Sequence, residues 1–399
     1  MPVGWPPRSS SWHWSPAPEK TNSSSKANKL SGRIARVSDD VEFAARPGMT
    51  DEVLYARDGH LGRILLNRPR VINALTEQMV SSLMAQLPDW AGDDAVTAVS
   101  IQGAGERGLC SGGDIRALRR DVLAGLINPV QFWAQEYRLN AAIASYPKPF
   151  VAFMDGIVMG GGIGISAHAS LRLVTERSRV AMPETAIGFF PDVGSLFLLS
   201  RAPGEMGTHL AMTGLSVGGA DAVSCGLADA LVAGRDIPGL IARLAAGESL
   251  NAGVGSVSAV GDLAAERDWI DSCYAGNDPV TTVRALRDHP SVGAQECAAV
   301  LRTRSPLAVC VALEAIRRAG RMNTVSQVLE QDLVLAGTFA SSPDFFEGVR
   351  ALLVDRDNAP RWSYRSLEDV DPAVVARLFA GPRPAAASGT GPGTGTPAG

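Results

Sequence analysis

Two glycine-rich segments leave this chain few choices of fold. Cys110-Ser111-Gly112-Gly113-Asp114 leads into a helical pattern beginning at Ile115. Met159-Gly160-Gly161-Gly162-Ile163-Gly164 does the same ahead of a stretch containing Ser166 and Ala167. Each segment follows strand-like residues and precedes helix-like ones. A helix start carries N–H groups with no intrahelical acceptor and a partial positive charge. Glycine lets a second group approach that backbone closely. Two such N–H groups aimed at one carbonyl oxygen form an oxyanion hole, and losing one donor typically costs about 3–4 kcal/mol of transition-state stabilisation. Either turn alone reads equally well as a tight connection with no ligand. The pair, with the carboxylates below, favours a site that polarises a carbonyl during enolisation or acyl transfer.

The second turn also fits another motif. Gly162-Ile163-Gly164-Ile165-Ser166-Ala167 matches a G-x-G-x-x-A dinucleotide fingerprint, with Glu184 at the distance of a ribose ligand. However, the strand before it lies mid-chain, and that motif needs no glycine triplet. It would also leave the first turn unexplained, so a Rossmann domain is not expected.

Two carboxylates stand eight residues apart in a segment otherwise apolar or turn-forming, Ala181 to Gly194: Glu184 and Asp192. A carboxylate in apolar surroundings has a raised pKa, which suits acid–base or nucleophilic work. The plainer alternatives are caps. Glu184 would cap a turn, and Asp192, ahead of Val193-Gly194-Ser195, has the composition of an N-cap for a helix from Val193 to Leu199. Glu136 lies in the helical run Phe132 to Tyr137, and position alone makes it a solvated helix-face residue. There is neither a Ser-His-Asp arrangement with a nucleophile elbow nor a P-loop.

The periodicity gives an α/β layer followed by helices. A hairpin is expected from Val53–Arg57 and Gly62–Asn67 around Asp58-Gly59. Helices are expected at Thr76–Leu87, with Thr76 as N-cap, at Ile115–Leu123 and at Phe132–Ala144. Strands are expected at Ala98–Gly103, Pro149–Met154, Leu171–Thr175 and Arg179–Met182, and helices dominate from Pro203 onward.

Hydrophobic residues make up 46% of the 399 residues, enough for a sizeable core, and the net charge of −4 argues against a nucleic-acid partner. No apolar run is long enough for a membrane span. Five scattered cysteines read as free thiols in a reducing compartment, and five scattered histidines make a zinc site unexpected. Residues 1–37 are Ser-, Pro-, Arg- and Lys-rich with a single acidic residue, Glu19. That composition resembles an organellar transit peptide, but the prolines and Trp12-His13-Trp14 do not make an amphipathic helix. A disordered extension or an over-called start site, and a cytoplasmic location, are therefore expected, with a mitochondrial location as the alternative if the extension is a leader.

Several motifs together resemble the crotonase (enoyl-CoA hydratase/isomerase) superfamily. They are Leu66-Asn67-Arg68-Pro69, Asn73-Ala74-Leu75, Ser111-Gly112-Gly113-Asp114 and the glycine triplet. Within it, the chain is most similar to the 3-hydroxyisobutyryl-CoA hydrolases. That likeness rests on Glu136-Tyr137, Met182 to Gly188, Phe190-Pro191-Asp192-Val193-Gly194, Phe346 to Ala351, Asp355-Arg356-Asp357 and Pro360-Arg361-Trp362. The resemblance spans about Val53 to Phe379.

The resemblance implies an α/β fold, a crotonase-like spiral of ββα units followed by a mostly helical C-terminal region. On that basis the core covers 49–240 and the helical region 241–380, with a disordered extension over 1–48 and a disordered tail over 381–399. It implies an oxyanion hole from the N–H groups of Gly113 and Gly161. It implies an acyl pocket lined by Glu136, Glu184 and Asp192, with Glu184 as the principal catalytic carboxylate and Asp192 as its partner. Enoyl-CoA hydratases place a second catalytic glutamate two residues after the triplet, where this chain has Gly164. Asp192 replaces what is usually a small residue in hydratases, and Ser195 departs from the glycine more common in the hydrolases.

The implied activity is hydrolysis of a short 3-hydroxyacyl-CoA, 3-hydroxyisobutyryl-CoA from valine breakdown foremost. The alternatives are a hydratase or isomerase, and a non-catalytic acyl-CoA binder. No cofactor is implied, since coenzyme A is part of the substrate. Arg68, Arg70 and Arg116 are candidates for its phosphates, and trimers or hexamers are the implied assembly.

Overall fold

The computed structural model describes residues 41–251, 253, 255, 257 and 261–381. The expectations for residues 1–40 and 382–399 lie outside the described residues. Within the expected extension over 1–48, Phe43 is buried and Ala44 forms an antiparallel bridge with Tyr55.

β1 (Val53–Asp58) and β2 (Leu61–Leu66) form the expected antiparallel hairpin. Then come β3 (Ala98–Gly103), β4 (Gly108–Cys110), β5 (Phe150–Met154), β6 (Ile157–Met159), β7 (Leu171–Val174), β8 (Arg179–Ala181) and β9 (Ala230–Leu231). They form a six-stranded sheet ordered β1-β2-β3-β5-β7-β9 and a three-stranded sheet ordered β4-β6-β8. All pairings of these strands after the hairpin are parallel. β3, β5 and β7 are thus each followed directly by a strand of the small sheet, and the chain then returns through helix or turn. This is the ββα repeat. β2 and β5 are buried at every residue, as parallel strands covered on both faces require.

The helices begin where local chemistry permits. The Glu77–Gly92 helix starts after Thr76, whose hydroxyl accepts the Met79 N–H at 3.2 Å, and continues through Pro88 one turn past its expected end. The Ile115–Leu123 helix has its expected bounds, and Asp114 caps it by accepting the Ala117 N–H at 3.1 Å. Pro129–Ala144, Pro279–Asp288, Pro306–Ala319, Pro343–Val349 and Pro372–Leu378 each open with proline directly after Asn, Asp or Ser. Proline suits that first position because its missing N–H would have no partner there.

Two sequence expectations fail. The second glycine run does not open a long helix: Gly161–Gly164 is one turn, and Ser166 and Ala167 lie in turns. Too few peptide dipoles align there to make a macrodipole. Asp192 is not a cap either. The helix there is Ser195–Leu199, preceded by Gly194, with no side-chain cap bond.

From Ile237 on, the described elements are helical. The Val325–Phe339 helix packs along Pro129–Ala144. An aromatic cluster joins the two regions: Phe189 stacks on Trp133 at 5.0 Å and meets Phe345 and Phe339 at 5.3 and 5.4 Å. Among the described residues no helix is long and apolar enough to cross a membrane.

Candidate active site

The small sheet explains why two turns distant in sequence meet. β4 and β6 run parallel as neighbours, so their C-terminal ends lie side by side. The glycines follow those ends. A Cβ on Gly112 would stand 3.2 Å from the Met159 carbonyl and 3.6 Å from Gly161 N, and one on Gly161 would stand 3.3 Å from Gly113 N. Gly112 has φ +104 and Gly160 φ +50, a region that disfavours side chains. Leu75 pins the first turn from outside: its N–H donates to Gly112 O, and its carbonyl accepts the Asp114 N–H, both at 2.8 Å. Neither the Gly113 nor the Gly161 N–H donates to a backbone carbonyl among the described residues. Two adjacent N–H groups without backbone acceptors are what an oxyanion hole requires.

The third strand of that sheet delivers the carboxylate. β8 lies parallel to β6, and the Gly160 N–H donates to Ala181 O at 3.2 Å. Three residues beyond β8 the chain turns into a short 3-10 helix, Glu184–Ile187. A Cβ on Gly160 would come within 2.9 Å of Glu184 Oε1, and Glu184 Oε2 is buried without a hydrogen-bond partner. Glu136 approaches from the opposite side. Its expected position on a solvated helix face is wrong: it is 3% exposed, and a Cβ on Gly161 would collide with its Oε1. Helix 129–144 lies across the glycine turn, so the face carrying Glu136 is its buried face.

Asp192 is also buried, and the Tyr137 hydroxyl donates to its Oδ2 at 2.7 Å. Burial raises Asp192 to about 7, against the lowering effect of that hydrogen bond. Burial lifts Glu136 and Glu184 well above the usual carboxylate range, and the Asp192 charge lifts both further. A dry pocket cannot hold several like charges at once. Burial and mutual repulsion therefore favour the protonated forms of Glu136 and Glu184, and Asp192 is poised near neutrality.

The structure brings Gly113, Gly161, Glu136, Glu184 and Asp192 together, and adds residues that sequence reasoning missed. Asp332, on the Val325–Phe339 helix, is fully buried; its Oδ2 accepts the Gly194 N–H at 2.8 Å. Burial, and then the Asp192 charge, raise it well above its ordinary range. His168 donates from Nε2 to the Val193 carbonyl at 2.7 Å, and burial lowers its pKa to about 4, so it is neutral. Asn140 lies fully buried one helical turn after Glu136. Among the described residues no group of three or more His, Cys, Asp or Glu is placed to hold a metal ion.

The arginines divide. Arg68 bonds Glu52 at 2.8 Å, Asp114 at 3.0 Å and the Ala74 carbonyl at 2.6 Å, so it braces the first glycine turn. Arg70 and Arg116 are exposed. Beside the first turn lies an open cavity of about 400 Å³ lined by Glu77, Leu126, Asn128, Gln131 and Phe132, among others. The Phe132 ring is 3.6 Å from where a Cβ on Gly113 would stand.

Paired glycine turns on a ββα spiral, with buried carboxylates over them, define a protein that acts on acyl thioesters. The chain belongs to the enoyl-CoA hydratase/isomerase family, whose profile matches residues 61–379, and so to the crotonase superfamily. It is similar to the mitochondrial 3-hydroxyisobutyryl-CoA hydrolase of Rattus norvegicus, 38% identical over 334 residues, or 80% of this chain and 86% of that protein. The corresponding Homo sapiens protein is 36% identical, with the same coverage. A solved structure of a carnitinyl-CoA dehydratase from Mycobacterium thermoresistibile is 43% identical, with a TM-score of 0.80, covering 84% of this chain and 98% of that one.

Proposed function

We propose that this chain hydrolyses 3-hydroxyisobutyryl-CoA to 3-hydroxyisobutyrate and coenzyme A, a step of valine catabolism. The observation that carries the reading within the superfamily is that position 164, beside the second glycine turn, carries no carboxylate. Glu184 stands at Gly160, while position 164 has no side chain and no room for one. Paired-glutamate hydration of a double bond lacks its second glutamate. The thioester oxygen lies between Gly113 N–H and Gly161 N–H. Glu184 passes its proton to Asp192 and attacks the carbonyl carbon; the C–S bond breaks to give an anhydride, which water then opens. Alternatively, Glu184, deprotonated in the same way, takes a proton from a water whose oxygen attacks the carbonyl carbon and expels the thiolate. Asp192 binds the 3-hydroxyl or returns the proton it took from Glu184 to the leaving thiolate. The coenzyme A portion runs out past Phe132 into the open cavity, and the exposed Arg70 and Arg116 are candidates for its phosphates. No separate cofactor takes part.

The test is thiol release from a panel of acyl-CoAs. Wild type should release thiol from 3-hydroxyisobutyryl-CoA. Glu184→Gln should lose turnover by about 100-fold or more while still binding the ester. Absence of thiol release from every hydroxyacyl-CoA would end the proposal, and hydration of crotonyl-CoA without thiol would replace it with the hydratase reading. Unchanged behaviour of Glu184→Gln would indicate a non-catalytic binder.

In a cell with mitochondria, the basic, Ser-rich residues 1–37 would direct the chain there, as the names of the vertebrate relatives suggest. A reporter carrying residues 1–37 that stays cytosolic would return the cytoplasmic location. Trimeric or hexameric assembly is the family expectation, and sedimentation reads it directly.

A further inference from the structure

The Pro129–Ala144 helix sets two side chains, one turn apart, over the one-turn Gly161–Gly164 helix. Glu136 faces Gly161. Asn140 faces Gly164, where a Cβ would come within 2.7 Å of Asn140 Nδ2, 3.0 Å of its Oδ1 and 2.8 Å of Val193 Cβ. The Asn140 side chain is fully buried, and neither Nδ2 nor Oδ1 has a hydrogen-bond partner among the described residues. Buried amides are almost always bonded, and one unmet at both ends burdens the fold. Leucine would fill a similar volume without that burden. The fold alone gives no reason for asparagine here.

A ligand gives one. An amide offers a donor and an acceptor, and a hydroxyl both accepts and donates. The depth also matches. Three residues of helix separate Gly164 from Gly161, about 4.5 Å along the axis. In a 3-hydroxyacyl thioester, two C–C bonds and one C–O bond of about 1.5 Å each put the hydroxyl oxygen on the order of 3–4 Å from the carbonyl carbon.

We infer that Asn140 recognises the 3-hydroxyl of the acyl group, Nδ2–H donating to it and Oδ1 accepting from it. The identity of the ligand rests on the hydrolase reading above. Asp192, whose Oδ2 already accepts from Tyr137, is then left for proton transfer.

The test compares binding of 3-hydroxyisobutyryl-CoA and isobutyryl-CoA by calorimetry in a Glu184→Gln background, where ester survives. The parent should prefer the hydroxylated ester by about tenfold or more. Asn140→Leu should bring that ratio close to one and melt at a higher temperature than the parent. Asn140→Ser, which fits any packing, should lose the ratio as well. An unchanged ratio in either variant overturns the inference, as does no preference in the parent. A lower melting temperature with both esters weakened equally would make Asn140 a structural amide and also overturn it. Thiol release by wild type reads the hydrolase proposal separately: a lost ratio without thiol release sinks that proposal alone, and thiol release with an unchanged ratio sinks this one alone.

Discussion

Asp192 stands apart among the buried carboxyls because a phenol is aimed at it. The Tyr137 hydroxyl, at 2.7 Å, keeps its affinity for a proton near neutrality while burial pushes upward. Folded Asp192 titrates at about 7, whereas an ordinary aspartate does so at 3.8. The native state therefore holds this proton longer than the unfolded chain does. The resulting stability is fully present below pH 4 and is lost as pH rises through about 7. Glu136, Glu184 and Asp332 are raised in the same sense, so each adds to the loss from its own unfolded value, near pH 4, upward. Thermal melts between pH 4 and 7 should show wild type losing stability more steeply than Asp192→Asn, which keeps the other three raised carboxyls. Tyr137→Phe should move the fall to higher pH. Parallel curves for wild type and Asp192→Asn would refute this assignment of the charge.

The turn Asp192-Val193-Gly194 is held in a conformation it would not choose. Val193 has φ +54 and Gly194 φ +72, and a β-branched residue in the left-handed region is costly. Two buried side chains hold it: His168 donates to the Val193 carbonyl, and Asp332 accepts the Gly194 N–H. Asp332→Leu should destabilise the fold by about 1–3 kcal/mol by leaving that N–H unmet. It should also reduce thiol release tenfold or more, because Asp192 loses its placement. Asp332→Asn, which still accepts the N–H, should restore most of both. Denaturant melts and the thiol assay check the pair.

Sequence could not show this clamp, since Asp332 and Gly194 lie 138 residues apart and a lone aspartate on a helix carries no signal. What sequence could show was local. The hairpin at Asp58-Gly59, the Thr76 cap and the Ile115 helix start each depend on neighbours within a few residues. β4 and β6, with three residues each, are too short for alternation to register. Asp192 resembled a cap because Asp-Val-Gly-Ser has cap composition. The reason it is not one lies in Tyr137 on another helix. Glu136 looked solvated because only the packing of its helix across the glycine turn reveals which face is inward.

Across the whole molecule, the proposed acyl pocket draws on both halves of the chain. The core supplies the glycine turns, Glu136 and Glu184. The helical region supplies Asp332 and the Phe339 and Phe345 rings that seal Phe189. Burial on that scale also governs how a turnover ends. The acyl end of the ester enters uncharged, but the acid it becomes ionises in water at about pH 4 to 5. The burial that raises the Glu136 and Glu184 carboxyls disfavours a new carboxylate there as well. The anion is therefore driven out to water as it forms. Added 3-hydroxyisobutyrate should inhibit thiol release only weakly at pH 8, and more strongly near pH 5, where part of it is neutral. Equal inhibition at both pH values would mean that the pocket accepts the anion. A pocket that admits a neutral ester and sheds a charged acid clears its own product, without needing a gate to do so.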